Sequence, residues 1–387
     1  MGPNWAEIRE EEFPSLKNII SLKSAGGSPI SKSAYESGIK YFNDMLNYGD
    51  IFWDEYFREL DSIREKIAKY FNSKPSEIAF LINTSSGMNT VARLLKKGGI
   101  IYPEGEFPTS IHIFKRLGFN CEKIHHVNNK YRINDIKNSI KKNTKYLIHS
   151  HVQYLTGYKQ DLEKLGILSK NEGLMNIINA TQSFGAFPLD TQRFNIDILV
   201  ASALKWACCG YGIGILFIKD SIIKENGLPF SSWLSVSNAM SMTNDNLKVE
   251  KITKSLDGMG GTPHFPTLLT LKGGLNLIEK IGNGNLKIGL RRISNRIIEL
   301  TSEFLSYINK LDFKVITPLE IQNRSGIITL EHRNAEEIYN VLKKNKIFIS
   351  LRNFPDSSKK NLLRFSFNYY NNFEDIEKSI SILKKFK

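Results

Sequence analysis

Between residues 77 and 220 short apolar runs rich in Ile, Val and Phe alternate with stretches whose apolar residues recur at helical spacing. The runs predict strands at 77–83 (EIAFLIN), 98–103 (GGIIYP), 121–127 (CEKIHHV), 145–152 (KYLIHSHV), 175–181 (MNIINAT), 197–204 (DILVASAL) and 214–220 (GILFIKD). Between them, MNTVARLLKK (88–97), SIHIFKRLG (110–118) and DLEKLGILSKNEG (161–173) predict amphipathic helices. A parallel strand pair needs a crossover, commonly a helix, and the crossover helices bury both faces of the sheet. The pattern therefore predicts an α/β architecture: a mostly parallel seven-stranded sheet flanked by helices. Such sheets bind ligands at the carboxyl ends of their strands.

After Gly261 the character changes. Residues 264–310 predict long helices with one break at IGNGNL (281–286). FKVITPLE, SGIITLEHR, AEEIYNVLKKN, IFISLR, LLRFSFNYY and FEDIEKSISILKKF then predict a small C-terminal α+β domain. The expected division is a segment over 1–20 that packs on the small domain or the cleft, a large domain over 21–262, and a long helix with the small domain over 263–387.

Composition narrows the function class. At 387 residues, 41% hydrophobic and 24% charged, the chain is long enough for two or three domains, and disordered or collagenous classes are excluded. The net charge of +14 comes from scattered lysines without a basic run, so no nucleic-acid partner is expected. No run approaches the roughly 18 apolar residues of a membrane span, and the acidic start lacks an apolar core. A cytoplasmic location without membrane contact is expected. Cys121, Cys208 and Cys209 form no disulfide framework, no C-x-x-C or His/Cys pair has metal-ligand spacing, and the pairs His125/His126 and His149/His151, which read as strand-end histidines with ordinary hydrogen bonds, have no carboxylate at a fitting offset. No metal is expected.

The chemistry concentrates in two segments. In ILVASALKWACCGYGIGILFIKD, Lys205 directly follows an apolar strand and precedes a turn with Gly210, Gly212 and Gly214. Desolvation at a strand end lowers a lysine's pKa and frees the neutral amine as a nucleophile. About 25 residues earlier IINATQSFGAFPLD ends another strand, so Asn179, Gln182, Ser202 and Lys205 can face one cleft.

NATQSFGAFPLD, SALKW and GYGIGILF, together with NTSSGMN (83–89), GEFPTS (105–110), SHVQYLTGY (150–158), GGTP (260–263), ISLR and LLRFSFNYYNNFEDI, resemble the class V aminotransferase and cysteine desulfurase group. These are fold type I pyridoxal-phosphate enzymes, and the wording is nearest the branch that includes isopenicillin-N-epimerase-like and kynureninase-like proteins. The resemblance spans nearly the whole chain. It implies that Lys205 forms the Schiff base with pyridoxal 5'-phosphate and that Ser85 and Ser86, in the turn opening a helix at Gly87, hold its phosphate. By the same resemblance, Ser202 adds a hydroxyl to that phosphate, Phe107 stacks on the ring, and Gln182 hydrogen-bonds the phenolic oxygen. Thr262 reaches the phosphate of the neighbouring subunit, which implies a homodimer. Arg364, with Arg352 beside it, grips the carboxylate of an amino-acid substrate.

Three positions depart from the family pattern. Asn179 stands where an aspartate normally pairs with the ring nitrogen, Tyr154 where desulfurases carry Asn, and Leu204 where they carry His. No cysteine occurs after Cys209, which disfavours a persulfide-forming desulfurase. The expectation is an enzyme acting on an amino acid by amino transfer, epimerisation or C–X cleavage. The alternative, raised by Asn179, is a catalytically impaired protein that keeps the fold for binding.

Overall fold

A computed structural model describes residues 2–245, 248–355, 357 and 360–386. Among them the chain builds a short pair, β1 (Ile20–Ser21) against a later segment, and a central sheet. That sheet holds β2 (Ile78–Leu81), β3 (Gly99–Pro103), β4 (Asn120–Ile124), β5 (Thr144–Ser150), β6 (Met175–Asn179), β7 (Ile198–Ser202) and β8 (Gly214–Ile218), in the order β2-β8-β7-β6-β5-β3-β4. β8 pairs antiparallel with both neighbours and alone runs against the rest. The other pairs, β3 with β4 and β5, and β6 with β5 and β7, are parallel. β7 and β8 are buried along their whole length, which is why they read as unbroken apolar runs rather than alternating ones. β4, at the edge, exposes Asn120 and Lys123 and so presents a polar edge.

Several predicted boundaries shift, each for a local reason. The strand expected over 121–127 ends at Ile124, because Glu104 turns the chain by accepting from the His126 N–H at 2.9 Å and contacting His125 Nδ1 at 2.8 Å. The helix expected from Met88 begins four residues earlier, at Thr84, since Asn83 caps it by accepting from the Ser86 N–H at 2.9 Å. Ser85 and Ser86 thus lie in the first turn of this helix rather than in a loop before it.

Two apolar clusters fill the faces of the central sheet, one beneath Leu60, Ile63 and Ile67 of Trp53–Phe71, the other beneath Met88, Val91 and Ala92 of Thr84–Leu94. Gly87 permits the second helix to lie close to the sheet: a Cβ there would sit 2.5 Å from Val200 Cγ1 on β7. Gly87→Ala is expected to destabilise the chain by about 1–2 kcal/mol, the overpacking cost exceeding a helix-propensity gain of about 1 kcal/mol. A thermal melt that matches the unaltered protein would show that β7 yields freely.

The helices Phe265–Ile281 and Leu286–Ile308 lead to a second, antiparallel sheet built from β9 (Lys314–Val315), β10 (Ile327–Glu331), β12 (Ser350–Arg352) and β13 (Leu362–Ser366), in the order β12-β13-β10-β9. β11 (Ile347–Phe348) pairs instead with β1. The N-terminal helix Trp5–Glu12 rests on the last helix, where Arg9 forms a two-pronged ion pair with Asp375 at 2.9 and 3.0 Å. Among the described residues no helix is long and apolar enough to cross a membrane.

Candidate active site

Because β8 alone is reversed, β2, β3, β5, β6 and β7 all end on one edge of the sheet. There a cavity of about 180 Å³ opens, lined by Asn83, Thr84 and Ser85 after β2, Phe107 and Thr109 after β3, and Ser150 and Tyr154 at the end of β5. Asn179, Thr181 and Gln182 from β6 and Ser202, Leu204 and Lys205 from β7 complete it. A larger open groove of about 780 Å³ runs beside the N-terminal helix, but its Arg9 and Asp375 satisfy each other.

Lys205 is held on the turn after β7, with Nζ 5.9 Å from the centre of the Phe107 ring. Burial first, and then the positive charges of Arg364 and Arg352, bring its amine down to about 7. A large fraction is therefore neutral at physiological pH. Phe107 offers its exposed face to the cavity and is braced edge-on by Tyr154, with ring centres 5.2 Å apart.

At the mouth of Thr84–Leu94, Ser85 Oγ lies 3.0 Å from Thr109 Oγ1 and Thr84 Oγ1 lies 2.7 Å from Thr181 Oγ1. These hydroxyls surround a helix N-terminus whose first N–H groups have no intrahelical acceptor, an arrangement suited to a phosphate. Ser86 is turned otherwise: its Oγ donates to Asn83 O at 2.7 Å, and it does not line the cavity. Ser202 lines it while donating to Ile213 O at 3.0 Å. Gln182 is held at both ends, its Nε2 donating to Ala25 O at 2.9 Å and its Oε1 accepting from Trp206 Nε1 at 3.0 Å. Asn179 Oδ1 accepts from the Thr181 N–H at 3.0 Å.

Arg364 comes from β13, in the other sheet. It is 2% exposed, donates to Tyr154 O at 2.7 Å and Ser350 Oγ at 3.3 Å, and among the described residues has no partner for Nε. Burial and then Arg352 lower its guanidinium to about 9. No carboxylate neutralises this group among the described residues. Arg352 lies diagonally across from it on the same face, since Ser350 pairs with Arg364 and Arg352 with Leu362. Thr262 stands apart, exposed on a loop outside the cavity of its own chain.

Sequence reasoning passed over Asn83, Thr84, Thr109, Ser150 and Thr181 as cavity residues. All of them lie within motifs already singled out, and Ser150 also falls near the end of the strand predicted over 145–152. The assembled donors suit pyridoxal phosphate: an amine poised between charged and neutral, hydroxyls at a helix N-terminus, and an aromatic face between them.

The Aminotransferase class-V family profile matches residues 20–378. An uncharacterised aminotransferase of Bacillus subtilis, YcbU, is 21% identical over 95% of this chain and 94% of its own length. A kynureninase of Bacillus cereus is 24% identical over 97% of this chain and 90% of its own. Among solved structures, the apo cysteine desulfurase of Thermococcus onnurineus superposes with a TM-score of 0.87 at 20% identity, covering 98% of this chain and 97% of that one. The family match runs from the first short strand into the last helix, and the chain therefore belongs to the class V aminotransferases, pyridoxal-phosphate-dependent enzymes that act on amino acids.

Proposed function

We propose that the cavity seats pyridoxal phosphate against Lys205 and that the enzyme breaks a bond at Cα or Cβ of an amino acid whose carboxylate is held by Arg364. The observation that carries this reading is the pairing of two basic groups that meet no carboxylate among the described residues, an amine brought to about 7 and a buried guanidinium whose Nε has no partner among those residues. When bound, the cofactor supplies an aldehyde that captures amines and a conjugated ring that takes up electron density from Cα.

The chain's own residues divide the remaining work. Thr84, Ser85, Thr109 and Ser202 hold the phosphate, with Ser86 acting indirectly by fixing Asn83 at the helix start. Phe107 covers one face of the ring, and Gln182, immobilised by Ala25 and Trp206, presents an amide hydrogen toward the phenolic oxygen. Asn179 meets the ring nitrogen. Arg364 forks onto the substrate carboxylate and so orients the Cα hydrogen, with Arg352 beside it for a further acidic group. Nζ of Lys205, once free, takes that hydrogen as a proton, because a neutral amine is already present near pH 7.

Amino transfer, epimerisation and C–X cleavage share this proton removal and part ways at the next step. A persulfide route is disfavoured: Cys208 and Cys209 are fully buried, burial pushes the Cys208 thiol up to about 12, and the sequence from Gly210 to Lys387 has no cysteine. A protein kept only for binding is also disfavoured, since Lys205 and Arg364 both retain an arrangement suited to turnover.

A cytoplasmic homodimer goes with this reading. Tyr35, Phe42 and Leu46 form an exposed apolar stripe on the helix Lys32–Tyr48, and Ile39 on that helix borders His264, two residues from Thr262. Burying this stripe against a second copy would carry Thr262 toward the neighbouring cavity. The organisation is a cofactor-binding unit over 21–262 and a smaller unit over 263–387, with residues 1–20 dressing the latter.

The test is an absorption titration with pyridoxal phosphate, then with a panel of amino acids, and products are assayed as keto acid, opposite enantiomer or released side-chain fragment. One amino acid is expected to shift the visible band and yield one product class. No visible band at saturating cofactor would overturn the reading.

A further inference from the structure

Glu106 is a charged side chain directly behind the cavity wall, bonded to the lining residue Ser150, and the proposed chemistry gives it no role. It is 8% exposed, in the tight turn after β3. Its Oε2 accepts from the Ser150 N–H at 2.8 Å and from Gln153 Nε2 at 3.2 Å. Its Oε1 accepts from the Phe107 N–H at 3.0 Å, from Ser110 Oγ at 3.0 Å and from Ser150 Oγ. Every neighbour offers a hydrogen, the shell an acceptor-only carboxylate satisfies. Among the described residues no Lys, Arg or His lies within ion-pair distance of it. A buried carboxylate without a cation is costly to maintain.

The hydrogen bonds lead from this carboxylate to the cavity. Ser110 has one hydroxyl hydrogen and gives it to Glu106, so Ser110 Oγ accepts from Asn179 Nδ2, 2.9 Å away. The Thr181 backbone N–H can only donate, which assigns the opposite atom of Asn179 as Oδ1. The amide is therefore locked in one orientation, with a carboxylate one hydroxyl behind it. Ser150, which also bonds Glu106, lines the same cavity.

We infer that Glu106 supplies the negative charge that position 179 lacks, favouring the protonated ring nitrogen of a pyridine cofactor through Ser110 and Asn179. It is a positioning residue, because it acts through other groups, and the inference rests on the pyridoxal-phosphate reading of the cavity. Opposite charges two hydrogen bonds further apart than a direct pair still couple by about one pK unit, or about tenfold in affinity, in a protein interior.

The test compares binding of pyridoxal phosphate with binding of its 1-deaza analogue, in which a ring C–H replaces the nitrogen. The unaltered chain, Glu106→Gln, Asn179→Asp and the double variant are titrated in parallel. Glu106→Gln is expected to weaken pyridoxal phosphate about tenfold while leaving the deaza analogue within about twofold, and Asn179→Asp in that background to restore the preference. A merely structural role weakens both ligands alike and overturns the inference, as does an unchanged preference. If Glu106→Gln yields no soluble protein, Asn179→Asp alone decides: a gain in preference below about threefold means a charge was already acting, and a larger gain means none was and overturns the inference. Failure of the unaltered chain to bind pyridoxal phosphate would overturn the functional reading and this inference together, whereas binding without discrimination overturns this inference alone.

Discussion

Lys205→Ala is expected to abolish covalent retention of pyridoxal phosphate and to lower turnover by about 10⁴-fold or more, since one side chain supplies both nucleophile and base. Borohydride reduction and peptide mapping should place the cofactor on Lys205 in the unaltered chain and nowhere in the variant. Retention of a reducible adduct elsewhere would reassign the site. The same lysine predicts a pH signature in the chain without added cofactor. Its amine is held near 7 in the fold against an ordinary value of 10.5, chiefly by burial and then by Arg364 and Arg352. Below pH 7 folded and unfolded chains both carry the proton, and the cost of burying the charge is fully present. Between about 7 and 10.5 the unfolded chain holds more protons, so this group's contribution to stability rises with pH, and above 10.5 the cost is gone. Lys205→Met should therefore be more stable than the parent at pH 6, by on the order of 2 kcal/mol after allowance for partial exposure, with the gap closing toward pH 10. Paired denaturant melts check it; a gap that widens with pH contradicts a lowered lysine.

Arg364→Ala is expected to cost about 10²–10³-fold in kcat/KM for the preferred amino acid while leaving cofactor attachment intact. A buried, charge-assisted hydrogen-bond pair loses about 2–5 kcal/mol when one partner is truncated. Arg364→Lys should rescue little, because a point ammonium cannot fork onto a carboxylate from a site shaped by Tyr154 O and Ser350 Oγ. Removing this positive neighbour should also raise the Lys205 pKa, shifting the acid limb of the pH–rate profile upward. Loss of cofactor binding rather than of substrate affinity would place Arg364 in the wrong role.

Much of this was readable from residue order. The apolar runs ending at Ser150, Asn179 and Ser202 are buried strands of one sheet, and each contributes a polar residue at its carboxyl end because the chain must leave the sheet there. Boundaries were less legible where a distant side chain ended an element, as Glu104 does at His125 and His126.

Local pattern carries the period of a strand or helix and the chemistry of a turn, and so the sequence alone determined the α/β class, the site's strand ends and Lys205. What tertiary structure alone decided is which distant groups share the cavity. Arg364 arrives from a different sheet, more than 150 residues after Lys205, and Glu106 reaches Asn179 only through a serine from another turn. Burial, which brings the lysine near neutrality and leaves Glu106 without a cation, is a property of what packs around a residue, and no spacing along the chain encodes it.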